Sequence, residues 1–548
     1  MPVLVICTVL LLAFAGGVVC SEISANRRIR EKTLKGFGRI PEGDYELGDI
    51  VSYAKLCRKE RQDLFTVDDF TWEDLNMDAV FRRVNNCQST VGEQFLYERL
   101  HRLSPRGGND ELSALCSHFS QNPEEQEKIM VLLARLGKKA SGGLPHFLEE
   151  SRIYSMPLAP LYSLLAFLPF AALPVCFFFP GAGFCIMFLS ICLNFYLYYR
   201  VKREIQGDLD RLRTLSSLLW FSEKLVSVLT YSPLRERVLS CLPAYRFLRG
   251  RLSGRMQKGY SDLELLQEYL HILTLRDLRI YRRAMQTISA HRAELRVLFE
   301  SAGLLDAALS TLSFRKSLPY WASPSFQEKN TVIFSKLYHP LLRTPAPNSG
   351  SFSSDVLLTG SNASGKSTFL KALGVNAILA QSLFTCTAEH FSFRPGPVLS
   401  SMAVQDNLTA GESYFMAEIK SLKRVADAAW AESCFLLIDE TLKGTNTVER
   451  LAASQAVLEE LHRRDCFCIA ATHDEELPQR LSPQYENYHF QETLSPEGIT
   501  FDYKLYPGPS NSRNAIALLS LTGFSRSVVA RAEALAGKTL TEKGLPQR

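Results

Sequence analysis

The chain has 548 residues, which is too long for one ordinary hydrophobic core, so we expect about two to four domains. Its hydrophobic share of 46% is ordinary for a folded protein, and 62 basic against 57 acidic residues give a net charge of +5. So balanced a charge gives no strong electrostatic case for nucleic acid. The 13 cysteines include no C-x-x-C pair, which argues against a zinc or disulfide framework and for buried thiols.

Residues 2–20 form an uncharged apolar run that is just long enough to cross a bilayer. A cleaved signal peptide, an uncleaved anchor and a buried helix are the alternatives. A signal peptide has a basic start and small residues before its cleavage site, where this chain has Val18 and Val19. Basic residues follow at once, at Arg27, Arg28, Arg30, Lys32 and Lys35. Because positive charge marks the cytoplasmic side, the sequence favours an anchor.

A second apolar block runs from Pro157 to Tyr199 and contains no charged residue until Arg200. The segment Pro180-Gly181-Ala182-Gly183 interrupts it near the middle, which predicts a helical hairpin that dips through the membrane. The alternative is a hydrophobic core hairpin of a soluble protein. With the first run, the hairpin would give three spans, and residues 21–156 and 200–548 would be cytoplasmic.

The regions beside the hairpin are predicted to be helical. In residues 64–150, apolar residues recur at helical spacing, and Ser89 and Thr90 are expected to cap a helix. In residues 203–318, a periodic run from Asp262 to Phe314 contains no proline and predicts a long lever-like helix. Its arginines and lysines are interspersed with acidic residues, so a solvated helix face explains them better than nucleic-acid binding does.

Short apolar runs that suit β-strands begin near Thr331 and alternate with helices to about Asp502, which predicts an α/β domain. The residues from Gly360 to Ser367 read GSNASGKS, a complete G-x-x-x-x-G-K-[ST] phosphate-binding loop between an apolar strand and a helix. We expect Lys366 to reach the β and γ phosphates of a nucleotide and the Ser367 hydroxyl to ligate Mg²⁺.

Two later strand ends carry polar residues. The run from Phe435 to Ile438 ends in Asp439 and Glu440, which predicts a metal-binding carboxylate followed by a general base. The strand ending at Thr472 leads to His473, whose imidazole could sense or stabilise the γ-phosphate. The order of loop, acidic pair and histidine is more specific than any one of these features.

Four segments together resemble the ATPase domain of the MutS family, a branch of the ABC-type ATPases. They are GSNASGKST, NLTAGESYFMAEI (407–419), FLLIDETLKGTNT (435–447) and ATHDEEL (471–477). GLLDAALSTLSF (303–314) and LYHPLL (337–342) resemble the end of the family's lever helices and the entry to its ATPase domain, and residues 506–532 resemble its helical tail. The resemblance implies an ABC-type phosphate-loop ATPase domain after a helical lever region.

The resemblance also implies a set of site residues. Catalysis would fall to Glu440, His473 and Lys366, and Mg²⁺ would be held by Ser367 and Asp439. The nucleotide would be bound by Gly360, Ser361, Asn362, Ala363, Ser364, Gly365, Lys366, Ser367 and Thr368. In this family ATP lies between two subunits, so a homodimer is implied, with Ser413 contacting the partner's γ-phosphate. Asn446 stands where the family has a serine in the loop after the acidic pair.

The departures from the family bear on function. The first sixty residues carry an anchor and a basic stretch, so we expect no mismatch-recognition or connector domain. The predicted organisation is an anchor at 1–20, a cytoplasmic region at 21–156, a membrane hairpin at 157–199, levers at 200–325 and the ATPase domain at 326–548. We therefore expect a multi-pass membrane ATPase that moves its levers with ATP and Mg²⁺, with DNA left open as a partner. An ATP-switched DNA tether, an ABC-type transporter component and a scaffold that binds ATP without turnover are the alternatives.

Overall fold

The computed structural model describes most of the chain. The described residues are 24, 26–42, 47–60, 65–104, 110–138, 143–149, 161–246, 248, 269–361, 364–402, 414–440, 442, 445–474, 476–482, 484–495, 498–510 and 524–542. The chain divides into two compact units. The helical unit comprises residues 1–63, 84–99 and 109–317, and the sheet unit comprises residues 64–83, 100–108 and 318–548.

Among the described residues, twelve labelled helices precede the first strand, after a helix over residues 26–36. They are α1 Val51–Glu60, α2 Asp69–Asp74, α3 Met77–Val84, α4 Thr90–His101, α5 Glu111–Gln121, α6 Pro123–Leu136, α7 Leu144–Glu149, α8 Tyr162–Phe178, α9 Pro180–Val228, α10 Ser232–Cys241, α11 Arg276–Ala290 and α12 Arg292–Lys316. A 3₁₀ turn spans Leu242–Tyr245.

The second apolar block forms the antiparallel pair α8 and α9, as the charge-free runs predict. Its turn lies one residue earlier than the predicted Pro180–Gly183 segment, because Phe179 alone leaves the helical conformation. Pro180 instead opens α9, where a proline has the right φ and no N–H to leave unpaired. Pro169 and Pro174 lie within α8 and do not end it.

Two described helices are long and apolar enough to cross a membrane by length and composition alone. One is α9, whose apolar window is 28% buried, and the other is α12, whose window is 83% buried. The burial of α12 is that of a core helix, whereas the apolar half of α9 is largely exposed. The shorter α8 is also apolar. Residues 2–20, the predicted anchor, lie outside the described residues.

The periodicity from Asp262 to Phe314 predicted one long helix, and this prediction is wrong for the described part of the run. Residues 262–268 lie outside the described residues. Leu275 adopts a left-handed φ of 47° just before α11, and His291 breaks the run between α11 and α12. The Tyr245 hydroxyl donates a 2.6 Å hydrogen bond to the His291 carbonyl, which also accepts from the Leu295 N–H at 3.2 Å where α12 begins. A side chain from a distant segment thus supports a break that the local sequence does not signal.

A buried carboxylate fixes the start of α4. Asp306 on α12 accepts hydrogen bonds from the backbone N–H groups of Gln88 (2.9 Å) and Ser89 (2.8 Å) and from the Ser89 hydroxyl (2.6 Å). The Ser89 hydroxyl oxygen in turn accepts from the Gly92 N–H, so the predicted cap is present. Full burial raises the pKa of Asp306 to about 6 against these hydrogen bonds.

The described part of the sheet unit contains ten strands, which form two sheets. They are β1 Ser325–Phe326, β2 Val332–Leu337, β3 Asn348–Phe352, β4 Asp355–Thr359, β5 His390–Phe393, β6 Val398–Ser401, β7 Phe435–Asp439, β8 Phe467–Ala471, β9 Tyr485–Ser495 and β10 Gly498–Pro507. Its labelled helices after β4 are α13 Lys366–Leu383, α14 Tyr414–Ala431, α15 Thr447–His462, α16 Leu477–Arg480 and α17 Arg526–Glu542.

The larger sheet has the order β10-β9-β4-β8-β7-β6 and is parallel except for the β9–β10 pair. The smaller sheet has the order β1-β5-β2-β3. Every residue of β4 and β8 is buried, as expected for central strands of a parallel sheet that is covered on both faces. The sheet therefore presents the carboxyl ends of its central strands at one edge, where ligands bind in open α/β sheets.

A segment from early in the chain completes the sheet unit. The Thr71 hydroxyl accepts from the Ser400 N–H (3.1 Å), and the Asp74 carboxylate accepts from the Ser400 hydroxyl (2.6 Å) and the Met402 N–H (3.0 Å). Helix α2 thereby covers the edge strand β6. The sequence predicted helix in this region but gave no sign that it belongs with the ATPase fold.

Candidate nucleotide-binding site

The predicted site residues follow strands that are held in register at one edge of the sheet. Ala471 at the end of β8 pairs with Leu358 of β4 on one side and with Asp439 of β7 on the other. Beyond the strands, the Thr472 N–H donates to the Leu358 carbonyl and the Glu440 N–H donates to the Ala471 carbonyl, both at 2.9 Å. These backbone bonds bring the loop, the acidic pair and the histidine segment to the same edge, as predicted.

The phosphate-binding loop requires glycine at two positions. Gly360 has a φ of 135° and Gly365 a φ of 103°, conformations that side chains with a Cβ rarely adopt. A Cβ at Gly360 would lie 2.6 Å from the Phe490 carbonyl oxygen of β9. Gly365 is the residue before α13, so the loop leads directly into the positive end of that helix. This is the arrangement in which backbone N–H groups bind phosphate.

Lys366 is buried at 1% exposure, and its ammonium donates to the carbonyls of Gly360 (2.5 Å) and Ser361 (2.8 Å). The Ser364 hydroxyl donates to the Ser361 carbonyl at 2.6 Å, and the Ser361 hydroxyl donates to the Glu492 carboxylate of β9. Ser367 is partly exposed and Thr368 is exposed, both in the first turn of α13. Asn362 and Ala363 lie outside the described residues.

Glu440 and His473 form a pair beside the loop. The His473 Nδ1 lies 3.5 Å from a Glu440 carboxylate oxygen, and the Glu440 side chain is 8% exposed whereas that of His473 is 45% exposed. Hydrogen bonding to Glu440 raises the pKa of His473. Glu440 also has a φ of 55°, an unfavourable backbone conformation that clusters at functional sites. The pair was predicted as two separate roles, and its direct contact is new.

Two side chains that the sequence did not single out hold this edge in place. Arg450 of α15 makes a two-point contact with the Asp474 carboxylate, with Nη2–Oδ1 at 2.7 Å and Nε–Oδ2 at 3.2 Å. The Asp474 N–H donates to the Thr472 hydroxyl at 3.0 Å. Together these bonds orient the residues on both sides of His473. Only the charge of Asp474 next to the histidine could have signalled the arrangement.

A cavity of about 340 Å³ opens beside the loop. Its lining includes Gly365 and Thr368 from the loop region, aromatic rings and one histidine: Tyr338, His339, Phe369, Phe490 and Tyr503. Burial lowers the pKa of His339 to about 4, so its imidazole is neutral at pH 7. The volume and the mostly apolar, aromatic lining are those of a small-molecule site. The sequence pointed to this place only through the LYHPLL segment.

Comparison with known proteins supports the same interpretation. A family profile described as MutS domain V matches residues 356–539, which include the loop, Asp439, Glu440 and His473. A protein from Thermus aquaticus named DNA mismatch repair protein MutS is 31% identical over 266 residues, which cover 47% of this chain and 31% of the relative. Residues 356–539 are therefore similar to domain V of the MutS family.

Other MutS proteins match over similar or longer stretches. One from Natronomonas pharaonis is 32% identical over 185 residues, 33% of this chain and 22% of the relative. One from Streptococcus gordonii is 27% identical over 316 residues, 54% of this chain and 37% of the relative. The chain thus spans about a third of the length of the curated MutS proteins that it matches. In MutS, domain V is the ATPase domain.

The metal expected at a MutS ATPase site fits the oxygen donors at this edge. The Asp439 carboxylate at the end of β7 and the Ser367 hydroxyl at the start of α13 are both hard donors, the kind that Mg²⁺ prefers. Among the described residues, no group of three or more His, Cys, Asp or Glu side chains could hold a metal ion. Mg²⁺ is usually held by one or two carboxylates together with substrate phosphates.

The structure describes one of two further positions that the resemblance to MutS singled out. Ser413, the predicted contact to a partner subunit, lies in the stretch 403–413 outside the described residues. Asn446, which differs from the MutS pattern, caps α15, where its side-chain oxygen accepts from the Glu449 N–H at 3.0 Å. Asparagine and serine are both favoured helix caps, so the substitution keeps the start of α15 intact.

Proposed function

We propose that this chain is a membrane-attached ATPase of the MutS type, which binds ATP with Mg²⁺ in the sheet unit and hydrolyses it. The observation that carries the proposal is the shared edge of the sheet. There, the buried ammonium of Lys366 lies in a loop of phosphate-binding conformation, and backbone bonds hold the Asp439–Glu440 and His473 segments beside it. A buried ammonium that donates to backbone carbonyls is suited to exchange them for phosphate oxygens.

The triphosphate and the base would bind to neighbouring parts of this site. The N–H groups of the loop and the positive end of α13 would bind the phosphates, with Lys366 on the β and γ groups. The cavity that begins at Gly365 and Thr368 would accept the base, since its aromatic side chains offer stacking surfaces. The neutral imidazole of His339 could hydrogen-bond the base without adding a charge.

Hydrolysis would depend on four side chains: Ser367 at the start of α13, and Asp439, Glu440 and His473 at the strand ends. Bound Mg²⁺ supplies charge neutralisation at the phosphates, and Ser367 and Asp439 would hold it. Glu440 would orient the attacking water and accept its proton. His473 would keep the Glu440 carboxylate oriented through their contact and would face the γ-phosphate with its exposed part.

Dimerisation and lever movement complete the proposal. We infer from the family that two copies enclose ATP, with Ser413 of one copy reaching the nucleotide of the other. The helical levers would then have two positions, and the bound nucleotide would determine which of the two is favoured. The relatives are named for DNA mismatch repair, so duplex DNA is the first ligand to test against the helical unit.

Membrane attachment is proposed for the α8–α9 hairpin. Its exposed side chains are almost all apolar, and the ATPase fold would lie on the cytoplasmic side, where ATP is available. Large exposed apolar patches on a soluble surface are rare and mark interaction sites. The predicted anchor at residues 2–20 would add a third span.

The test of the ATPase is made on the full chain in detergent. Glu440→Gln should abolish turnover while ATP binding remains, and it should stabilise an ATP-dependent dimer. Lys366→Ala should lose ATP binding as well. Equal hydrolysis by Lys366→Ala and the unchanged protein would contradict the site, and a monomeric Glu440→Gln protein with ATP bound would contradict the dimer. Binding without any single-turnover hydrolysis in the unchanged protein would leave a scaffold, not an enzyme.

A further inference from the structure

Buried polar contacts fix the base of the α8–α9 hairpin, which is the end away from its turn, against neighbouring segments. The Asn194 amide of α9 donates to the carbonyls of Leu165 in α8 (3.0 Å) and Leu273 (2.8 Å). The Tyr198 hydroxyl of α9 donates to the Asp277 carboxylate of α11 at 3.0 Å, and both side chains are buried. The first turn of α11 is therefore fixed next to the last apolar turn of α9.

From these contacts toward the hairpin turn, the surface of the hairpin is apolar over a length close to the thickness of a bilayer. The 20 residues of α9 from Pro180 to Tyr199 carry no charge, and at about 1.5 Å per residue they span roughly 30 Å, which is about the thickness of a hydrocarbon core. Exposed apolar residues line the hairpin throughout. They include Leu164, Phe167, Phe170, Leu173, Phe177, Phe178, Phe179, Phe184, Phe188, Leu189 and Leu193. Tyr196 and Tyr199 are exposed at its base, the position of an interfacial aromatic belt.

On the side of these contacts away from the turn, the helices carry positively charged residues immediately after the apolar surface. Five residues, here named the basic collar, follow the apolar surface on two helices. They are Arg200, Lys202 and Arg203 on α9 and Arg276 and Arg279 on α11. Two of the nearby acidic residues are engaged within the protein: Asp277 with Tyr198, and Asp208 with Arg211 at 2.6 Å and with the Tyr281 hydroxyl at 2.8 Å. Glu204, the residue after Arg203, is exposed, so one negative charge lies among the five positive charges of the collar.

Positive charges repel one another at the collar. Burial, together with repulsion from Arg283 and Arg276, lowers the pKa of Arg279. Like charges that repel one another at a protein surface are relieved by a bound anion. Since the collar lies directly below an exposed apolar surface, an anion attached to hydrocarbon satisfies both features at once. Duplex DNA would leave the apolar surface in water.

We propose that the basic collar binds the phosphate groups of anionic phospholipids in the leaflet that the hairpin enters from the cytoplasmic side. The inference rests on the membrane attachment proposed above and adds a lipid preference to it. A basic residue near an anionic surface strengthens membrane association by about fivefold, so removal of two collar charges should weaken the preference by roughly 25-fold. A hairpin held by apolar contact alone would have no such preference.

The test is co-flotation of the full chain, diluted from detergent, with vesicles of phosphatidylcholine alone or mixed with phosphatidylglycerol. The unchanged protein should float with both and prefer the anionic vesicles. The double variant Arg276→Gln/Arg279→Gln should lose the preference, still float with neutral vesicles and keep its basal ATP hydrolysis. Arg276→Lys/Arg279→Lys should retain the preference.

A matched control removes two positive charges away from the collar. Arg213→Gln/Arg237→Gln changes residues that pair with Asp210 on α9 and with Glu111, and it should leave the lipid preference unchanged. If Arg276→Gln/Arg279→Gln fails to fold, Arg200→Gln/Lys202→Gln on α9 gives the same test. An equal loss in the matched control would show a general charge effect and overturn the collar.

The remaining outcomes separate this inference from the proposal on which it rests. Flotation without any anionic preference overturns the collar and leaves membrane attachment standing. No flotation with either vesicle overturns membrane attachment, and the collar with it. If the collar variant keeps its lipid preference but loses salt-dependent binding to duplex DNA, the collar is a nucleic-acid site and the lipid assignment is wrong.

Discussion

Lys366 in the sheet unit and Phe177 at the hairpin turn depart from ordinary burial in opposite directions. The ammonium of Lys366 is 1% exposed, whereas the ring of Phe177 is 84% exposed. Burying a charge and exposing an aromatic ring each cost free energy in a protein surrounded by water, unless a ligand or a membrane contacts the side chain. Phosphate would supply it for the first and hydrocarbon for the second. The comparison teaches that both functional regions can be recognised by a side chain whose burial is opposite to that expected for its type.

Replacing the buried charge should separate function from stability. In Lys366→Met, a side chain of similar length loses its charge, so ATP hydrolysis should fall by about 100- to 1,000-fold, as for removal of one electrostatic contact to a transition state. Thermal stability should stay the same or rise, because no charge is then buried. Steady-state ATPase assays and thermal unfolding measure the two effects. A clear loss of stability would mean that Lys366 is structural.

Adding a charge to the exposed apolar surface tests the other region. Leu173→Arg in α8 should weaken flotation with neutral vesicles by about 100-fold, since an arginine deep in a bilayer costs about 2.5 to 3.5 kcal/mol. Leu239→Arg is the matched control, because Leu239 is exposed at 49% on α10, against 56% for Leu173, and lies outside the hairpin. Equal behaviour of the two variants would show that the hairpin does not enter lipid.

Asp306 sharpens the comparison, because it is a buried charge with enough internal partners. Asp306→Ala would leave the N–H groups of Gln88 and Ser89 without their acceptor, at a cost of about 1 to 3 kcal/mol for each buried group. Amide hydrogen exchange at the start of α4 should therefore accelerate. Asp306→Asn, which keeps one acceptor, should show a smaller effect. Unchanged exchange in both variants would exclude a capping role for this carboxylate.

The smallest expected effect is a shift in the titration of His473. Since Glu440 raises the pKa of His473, the ion pair is present below that raised pKa and is lost as the pH rises through it. Glu440→Gln should lower the pKa of His473, as measured by NMR of labelled histidine. His462 pairs with Asp355 instead, so its NMR signal should not respond to this substitution and serves as an internal reference. A pKa of His473 that does not move would place the two side chains apart in solution.

Much of the sheet unit could be predicted from the sequence, because its signals are local. The loop from Gly360 to Ser367, the strand ending at Asp439 and the strand before His473 each carry their pattern within a few residues, and the sheet register then brings them together. The Ser89 cap was local too. The hairpin also followed from composition, although its turn shifted to Phe179 because Pro180 opens a helix more readily than it forms a turn.

What the sequence did not predict depends on contacts between distant residues. The pairing of Asp74 with Ser400 joins residues more than 300 positions apart, and Arg450 meets Asp474 through the packing of α15. The break at His291 is supported by Tyr245, so helical periodicity alone could not reveal it. The cavity beside the loop combines side chains of four separate segments. A pattern within a short stretch of sequence does not predict contacts between such distant residues.

Helix α9 has a mechanical consequence beyond its chemistry. It runs without a break for 49 residues, from the apolar turn through the basic collar to the buried layer around Leu215. At about 1.5 Å per residue it is a rod roughly 74 Å long, and a tilt of about 5° at one end displaces the other by about 6 Å. Because the helix has no break, a change in side-chain packing around Leu215 would move the hairpin turn at the other end of α9. Lateral pressure on that turn would in the same way be transmitted to the packing around Leu215.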